Sequence, residues 1–79
     1  MRHSVKMPKL GDTDDEVFVI EWLVETGSQV TAGQPVLRIE TNKVDMDVVS
    51  PVEGLVVDRL VSAGDAVRVG TPILVVDDG

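Results

Sequence analysis

The segment LVETGSQVTAGQPVL (Leu23–Leu37) is echoed further along the chain by LVSAGDAVRVGTPIL (Leu60–Leu74). At an offset of 37, Leu23 meets Leu60, Val24 meets Val61, Gly27 meets Gly64, Val30 meets Val67, Gly33 meets Gly70, Pro35 meets Pro72 and Leu37 meets Leu74. Valines alone coincide easily by chance. Two glycines and a proline, in step with their apolar neighbours, mark an internal repeat. The register extends upstream to Val19 and Val56, and before them it changes. Val48-Val49-Ser50-Pro51 resembles Val5-Lys6-Met7-Pro8 at an offset of 43, so the first copy carries six extra residues. They fall around LGDTDDE (Leu10–Glu16), an acidic stretch that reads as a surface loop.

Each copy reads as short strands. Valine, isoleucine and leucine dominate, aromatics are nearly absent, and no stretch sustains a helical period. Leu37 and Ile39 alternate with Arg38 and Glu40, and Met46 and Val48 alternate with Asp45 and Asp47, which turns one face of each strand inward. Gly27 and Gly64 sit in polar gaps, where a tight turn asks for a positive φ. Pro35 and Pro72 fix the start of the strand that follows. Neither half is large enough to bury its own apolar face, so the two must pack together. The expected fold is all-β: a flattened barrel or sandwich of two antiparallel sheets with internal pseudo-twofold symmetry. The expected organisation is one domain over 1–79, with a tail at 1–4, a first half at 5–42 and a second half at 43–79.

Composition narrows the function. A chain of 79 residues holds one thin-cored domain. It has no cysteine, hence no disulfide and no thiolate metal site, and its one histidine, His3, reads as a solvated tail residue. A net charge of −7 disfavours nucleic acid and anionic membranes, and favours a partner with a basic surface. No apolar run approaches the roughly 20 residues of a membrane span, and the N-terminus lacks the apolar core of a secretory signal. The expected location is the cytoplasm, or the mitochondrial matrix had a transit peptide been removed. Trp22 reads as partly buried packing, Met46 as a core-facing strand residue, and Asp77-Asp78 as a fraying end, not an acid–base pair.

Between the halves lies IETNKVDM (Ile39–Met46). Lys43 is the only basic residue between Arg38 and Arg59, and one of three lysines in the chain. A strand over Val36–Glu40 and another over Asp45–Val49 leave Thr41-Asn42-Lys43-Val44 to turn a hairpin. Without glycine, a type I turn is expected, Asn42 being the residue able to take a left-handed conformation. By the repeat, Glu40-Thr41-Asn42 corresponds to Asp77-Asp78-Gly79. The twofold would then set the lysine tip at one end of the molecule and the termini at the other.

The run GQPVLRIETNKVDMDVVSPVEG, framed by EWLVETGSQV and LVSAGDAV and preceded by MPKLGDTDDE, resembles the lipoyl domains of acyltransferase components of 2-oxo acid dehydrogenase complexes. The resemblance covers about Val5 to Asp77. It implies that Lys43 carries lipoic acid in amide linkage and that Thr41, Asn42 and Val44 form the turn presenting it. The residue before the lysine is usually aspartate in that family, and here it is Asn42. The implied role is a carrier without catalytic residues or metal. The implied partners are a lipoate ligase or lipoyl transferase, a thiamine-diphosphate-dependent 2-oxo acid decarboxylase, the acyltransferase catalytic domain and dihydrolipoamide dehydrogenase. Asp12, Asp14, Asp15, Glu40, Asp45 and Asp47 are the candidates for partner recognition, by steering onto basic enzyme mouths.

Two other readings compete. A biotin carrier shares the fold and the turn lysine, but biotinyl domains typically place methionine on both sides of it, where this chain has Asn42 and Val44. An unmodified scaffold module of the same fold would leave Lys43 with a free amine.

Overall fold

The computed structural model describes residues 1–9 and 16–79. Among the described residues, eight strands run in the order β1 (Arg2–Lys6), β2 (Glu16–Trp22), β3 (Gln29–Val30), β4 (Pro35–Glu40), β5 (Asp45–Val49), β6 (Gly54–Arg59), β7 (Ala66–Arg68) and β8 (Pro72–Asp77). They form two four-stranded antiparallel sheets, ordered β1-β8-β6-β3 and β5-β4-β2-β7. The all-β expectation holds, as two antiparallel sheets with no closed barrel among the described residues. Residues of the acidic insertion, 10–15, lie outside the described residues.

Advancing every strand number by four turns the first sheet into the second. The two offsets read from the sequence account for this: 37 carries β4 onto β8, and 43 carries β1 onto β5. Irregularities follow the same rule. The bulge between Val19 and Glu21 in the β2–β4 ladder recurs between Val56 and Asp58 in the β6–β8 ladder. Each sheet draws two strands from each half, so the halves interlock rather than merely stack. β1 pairs with β8, and β3 with β6. A half removed from its partner would lose hydrogen-bonded neighbours as well as the cover over its apolar side chains.

The core is built from the inward side chains of both sheets, among them Val19, Leu37 and Ile39 with their repeat mates Val56, Leu74 and Val76, all buried. Period-two alternation puts them there. The polar gaps tie the halves together. Gly27 and Gly64 have φ of 94° and 91°, a region that glycine enters freely. Their amides donate to Val56 and Val19 of the opposite half, each at 2.8 Å. Trp22 is partly buried, as expected. Its indole N–H donates to the Val61 carbonyl at 2.8 Å, and the Arg59 guanidinium stands 5.6 Å from the ring centroid.

The N-terminus departs from the expectation. Residues 2–4, read as a tail, belong to β1 and pair with Val75–Asp77. Arg2, His3 and Ser4 are polar and show no apolar alternation, and ladder bonds together with charge hold the strand. The Met1 amine lies 2.8 Å from Asp78, Arg2 lies 3.7 Å from Asp77, and His3 Nε2 lies 2.7 Å from Asp78. The Asp77–Asp78 end is therefore tied down rather than frayed.

Candidate functional site

The hairpin β4–β5 turns at Thr41–Val44. Asn42, Lys43 and Val44 are exposed, whereas Thr41 is buried. The Thr41 amide donates to the Val44 carbonyl at 3.0 Å. The Thr41 hydroxyl does the rest: it donates to the Val44 carbonyl at 2.7 Å and accepts from the amides of Val44 at 3.1 Å and Lys43 at 3.3 Å. A single oxygen thus satisfies two turn amides that would otherwise be left to water. Among the described residues no non-glycine has positive φ, so Asn42 stays out of the left-handed region and the turn carries no backbone strain.

This arrangement fixes the Lys43 backbone while leaving its side chain outside the fold. No described carboxylate lies within 4.0 Å of its ammonium. From the turn, β5 runs on the order of 17 Å, at about 3.4 Å per residue, to the hairpin's other end. Beyond it Pro51–Leu55 share a cleft with Asp77, Asp78 and Gly79. Met1 and Asp77–Gly79 therefore sit away from the lysine tip. An exposed primary amine on a bonded turn offers one thing chemically, namely an attachment point with a defined position and a free approach.

The acids named from sequence separate into three groups. Glu40 and Asp45 face each other across the β4–β5 ladder beside the turn. Asp47 lies further along β5 and is engaged with Arg38, Nε to Oδ1 at 3.2 Å, while the Arg38 Nη1 reaches Glu21 at 3.2 Å. Asp12, Asp14 and Asp15 lie outside the described residues. Two features near the turn escaped the sequence reading. The hydroxyl role of Thr41 was signalled only by a threonine at the first position of a glycine-free turn. Phe18 is 50% exposed on β2, directly opposite Glu40. Its place was legible by counting: Val17 and Val19 point inward, which turns Phe18 out.

Residues 3–76 match the Biotin_lipoyl family model, described as biotin-requiring enzyme. The chain belongs to the biotin/lipoyl family. Among curated relatives of this biotin/lipoyl domain, it is 39% identical over 76 residues to the dihydrolipoyllysine-residue succinyltransferase component of the 2-oxoglutarate dehydrogenase complex of Staphylococcus saprophyticus, covering 96% of this chain and 18% of that protein. It is 36% identical over 78 residues to the dihydrolipoyllysine-residue acetyltransferase component of the pyruvate dehydrogenase complex of Corynebacterium glutamicum, covering 99% and 12%. The chain thus spans less than a fifth of these relatives. Its fold matches the solution structure of the lipoyl domain of the 2-oxoglutarate dehydrogenase complex from Azotobacter vinelandii with a TM-score of 0.72, at 25% identity, over 95% of this chain and 96% of that one.

Proposed function

We propose that this biotin/lipoyl domain is a swinging-arm carrier, lipoylated on Lys43 and serving a 2-oxo acid dehydrogenase complex. The observation that carries the reading is the exposed lysine at the tip of a bonded hairpin, on a chain whose relatives are named for a dihydrolipoyllysine residue. The residues fit such a group. Lys43 supplies the amine for an amide bond, and the Thr41 hydroxyl holds the turn so that the arm starts from a fixed place. When bound, the lipoyl group supplies a disulfide that takes up an acyl group with its electrons and passes both on. The chain's own contribution is aim and access, with bond-making left to the enzymes visited.

The partners in this reading are a lipoate ligase or lipoyl transferase, a thiamine-diphosphate-dependent decarboxylase, an acyltransferase domain and dihydrolipoamide dehydrogenase, all in the cytoplasm. Residues 1–79 act as one such domain. Intact mass of the protein from its own host tests the reading: a single lipoyl increment is expected, absent from Lys43→Arg, which keeps the fold. A biotinyl increment, a bare amine, or a label persisting on the arginine variant would overturn it.

A further inference from the structure

The twofold relation supplies an internal control, because residues at equivalent positions meet the same demands of the fold. The row of outward residues nearest the lysine turn breaks the equivalence. On β5, β4, β2 and β7 it reads Asp45, Glu40, Phe18 and Ala66. Its mate in the other sheet reads Arg2, Asp77, Leu55 and Gln29 on β1, β8, β6 and β3. There, Arg2 and Asp77 are opposite charges 3.7 Å apart. At the lysine end the same two places hold Glu40 and Asp45, like charges directly across the ladder. Neither is within 4.0 Å of a described cation. Facing like charges weaken a sheet. Beside them Phe18, the chain's single phenylalanine, is half exposed where its mate Leu55 is better covered. The fold accepts an attractive pair and a better-covered side chain at this register, yet the lysine end keeps a repulsion and a half-exposed ring.

We infer that Phe18, Glu40 and Asp45 form a docking patch for an enzyme whose arm-receiving mouth is an apolar socket bordered by arginine or lysine. This rests on the carrier reading of Lys43. Phe18 fills the socket as a rigid aromatic anchor of the kind that dominates interfaces. The two carboxylates meet the basic border, which relieves their mutual repulsion and speeds encounter. Ile20, the next outward residue of β2, is also exposed and widens the apolar spot. Asp47 is left out because Arg38 already occupies it. Charge argues against a second copy as the occupant, since two chains of net charge −7 would bring acid against acid. Position argues for an enzyme acting on the arm: Glu40 directly precedes Thr41, so a partner seated on this row has Lys43 at its edge.

The test uses the lipoylated domain and the thiamine-diphosphate-dependent decarboxylase of the same host. Intact mass is checked first, and a bare Lys43 overturns the carrier reading together with this inference. With the lipoyl mass in place, Phe18→Ser is expected to raise the Kd for the decarboxylase on the order of tenfold or more, at unchanged melting temperature. Glu40→Gln with Asp45→Asn is expected to slow association, flatten its salt dependence and raise the melting temperature. Arg2→Glu, which makes the mate row repulsive, is expected to leave Kd unchanged. A Kd unmoved by Phe18→Ser on lipoylated protein overturns the patch while leaving the carrier reading standing. Self-association of the parent domain that Phe18→Ser abolishes overturns it as well, by assigning the ring to a second copy.

Discussion

Thr41 and Asp78 hold the same place in the two halves: the amide of Thr41 donates to the Val44 carbonyl at 3.0 Å, and the amide of Asp78 donates to the Met1 carbonyl at 3.0 Å. The offsets of 37 and 43 carry Thr41 onto Asp78 and Val44 onto Met1. The lysine hairpin and the meeting of the two chain ends are therefore one structural element used twice, closed in the first case and cut open in the second. Where the chain is continuous, a hydroxyl completes the turn. At the cut, terminal charge and ion pairs take that place.

Thr41→Val keeps the shape of the turn's first residue and removes the oxygen that serves Lys43 and Val44. Water reaches these amides, so the expected loss is about 1 kcal/mol, not the full penalty of a buried unpaired group. Urea unfolding reads the stability. Hydrogen exchange at Val44 is expected to accelerate roughly fivefold, the factor that about 1 kcal/mol implies, while exchange in β6 and β8 holds. Equal acceleration in all strands would mean that the hydroxyl acts on the whole fold and not on the turn.

The position of the lysine is as informative as its presence. Exchanging the pair, Asn42→Lys with Lys43→Asn, preserves composition and charge. It moves the amine one residue along a turn whose backbone the Thr41 hydroxyl fixes. Misplacement of a reacting group by even about 1 Å is costly, so modification by a lipoate ligase with ATP and lipoate should slow on the order of tenfold or more. Rates equal to those of the parent, read by intact mass over time, would show that the hairpin does not aim the arm.

The repeat makes most of this architecture legible in the sequence. Glycines and prolines recur because turns impose backbone demands that few other residues meet, and β4 and β8 follow from one another by counting. The exchange of β1 and β3 between halves was not legible, since strand order depends on which edges meet and each strand's pattern is the same in either sheet. The strand at Arg2–Ser4 was hidden because its residues are polar and its hold is backbone pairing plus charge. At the site, Lys43 stood out by isolation within an acidic run. Phe18 did not, because an outward aromatic in EVFVIEW differs from a core one only by the parity of its position.

Gly54 marks where the two halves cannot be alike. Its repeat mate is Val17, a buried core residue, yet a Cβ at Gly54 would press into the backbone carbonyl of Asp77 and lie 2.9 Å from the Val76 side chain. The nearest atom belongs to the main chain of a central strand and cannot swing away. Gly54→Ala is expected to destabilise by about 1–3 kcal/mol, as overpacking does. Gly27 meets open space, so Gly27→Ala is disfavoured only by its φ. A urea midpoint for Gly54→Ala equal to that of the parent would show that β8 has room to retreat.

The open element at the chain ends gives this 79-residue chain a pH signature. A hydrogen bond with the Met1 amine, followed by one with His3, holds the Asp78 carboxyl down at about 2, from an ordinary 3.8. The amide of Gly79, followed by the Met1 charge, lowers Asp77. Chiefly through its bond with Asp78, the Met1 amine is raised above its ordinary 8.0. For the depressed carboxyls, the native state binds fewer protons than the unfolded one below about pH 4. Their stabilisation is present above that pH and fades as pH falls towards 2. For the raised amine it is present below pH 8 and fades as pH climbs through the raised value. The Met1 amine and Asp78 are exposed and Asp77 is partly so, so added salt should shrink both effects. Urea midpoints from pH 2 to 10 are expected to form a plateau that falls at each end. Acetylating Met1 should remove the alkaline fall and soften the acid one. An alkaline fall that survives acetylation would assign it to another group.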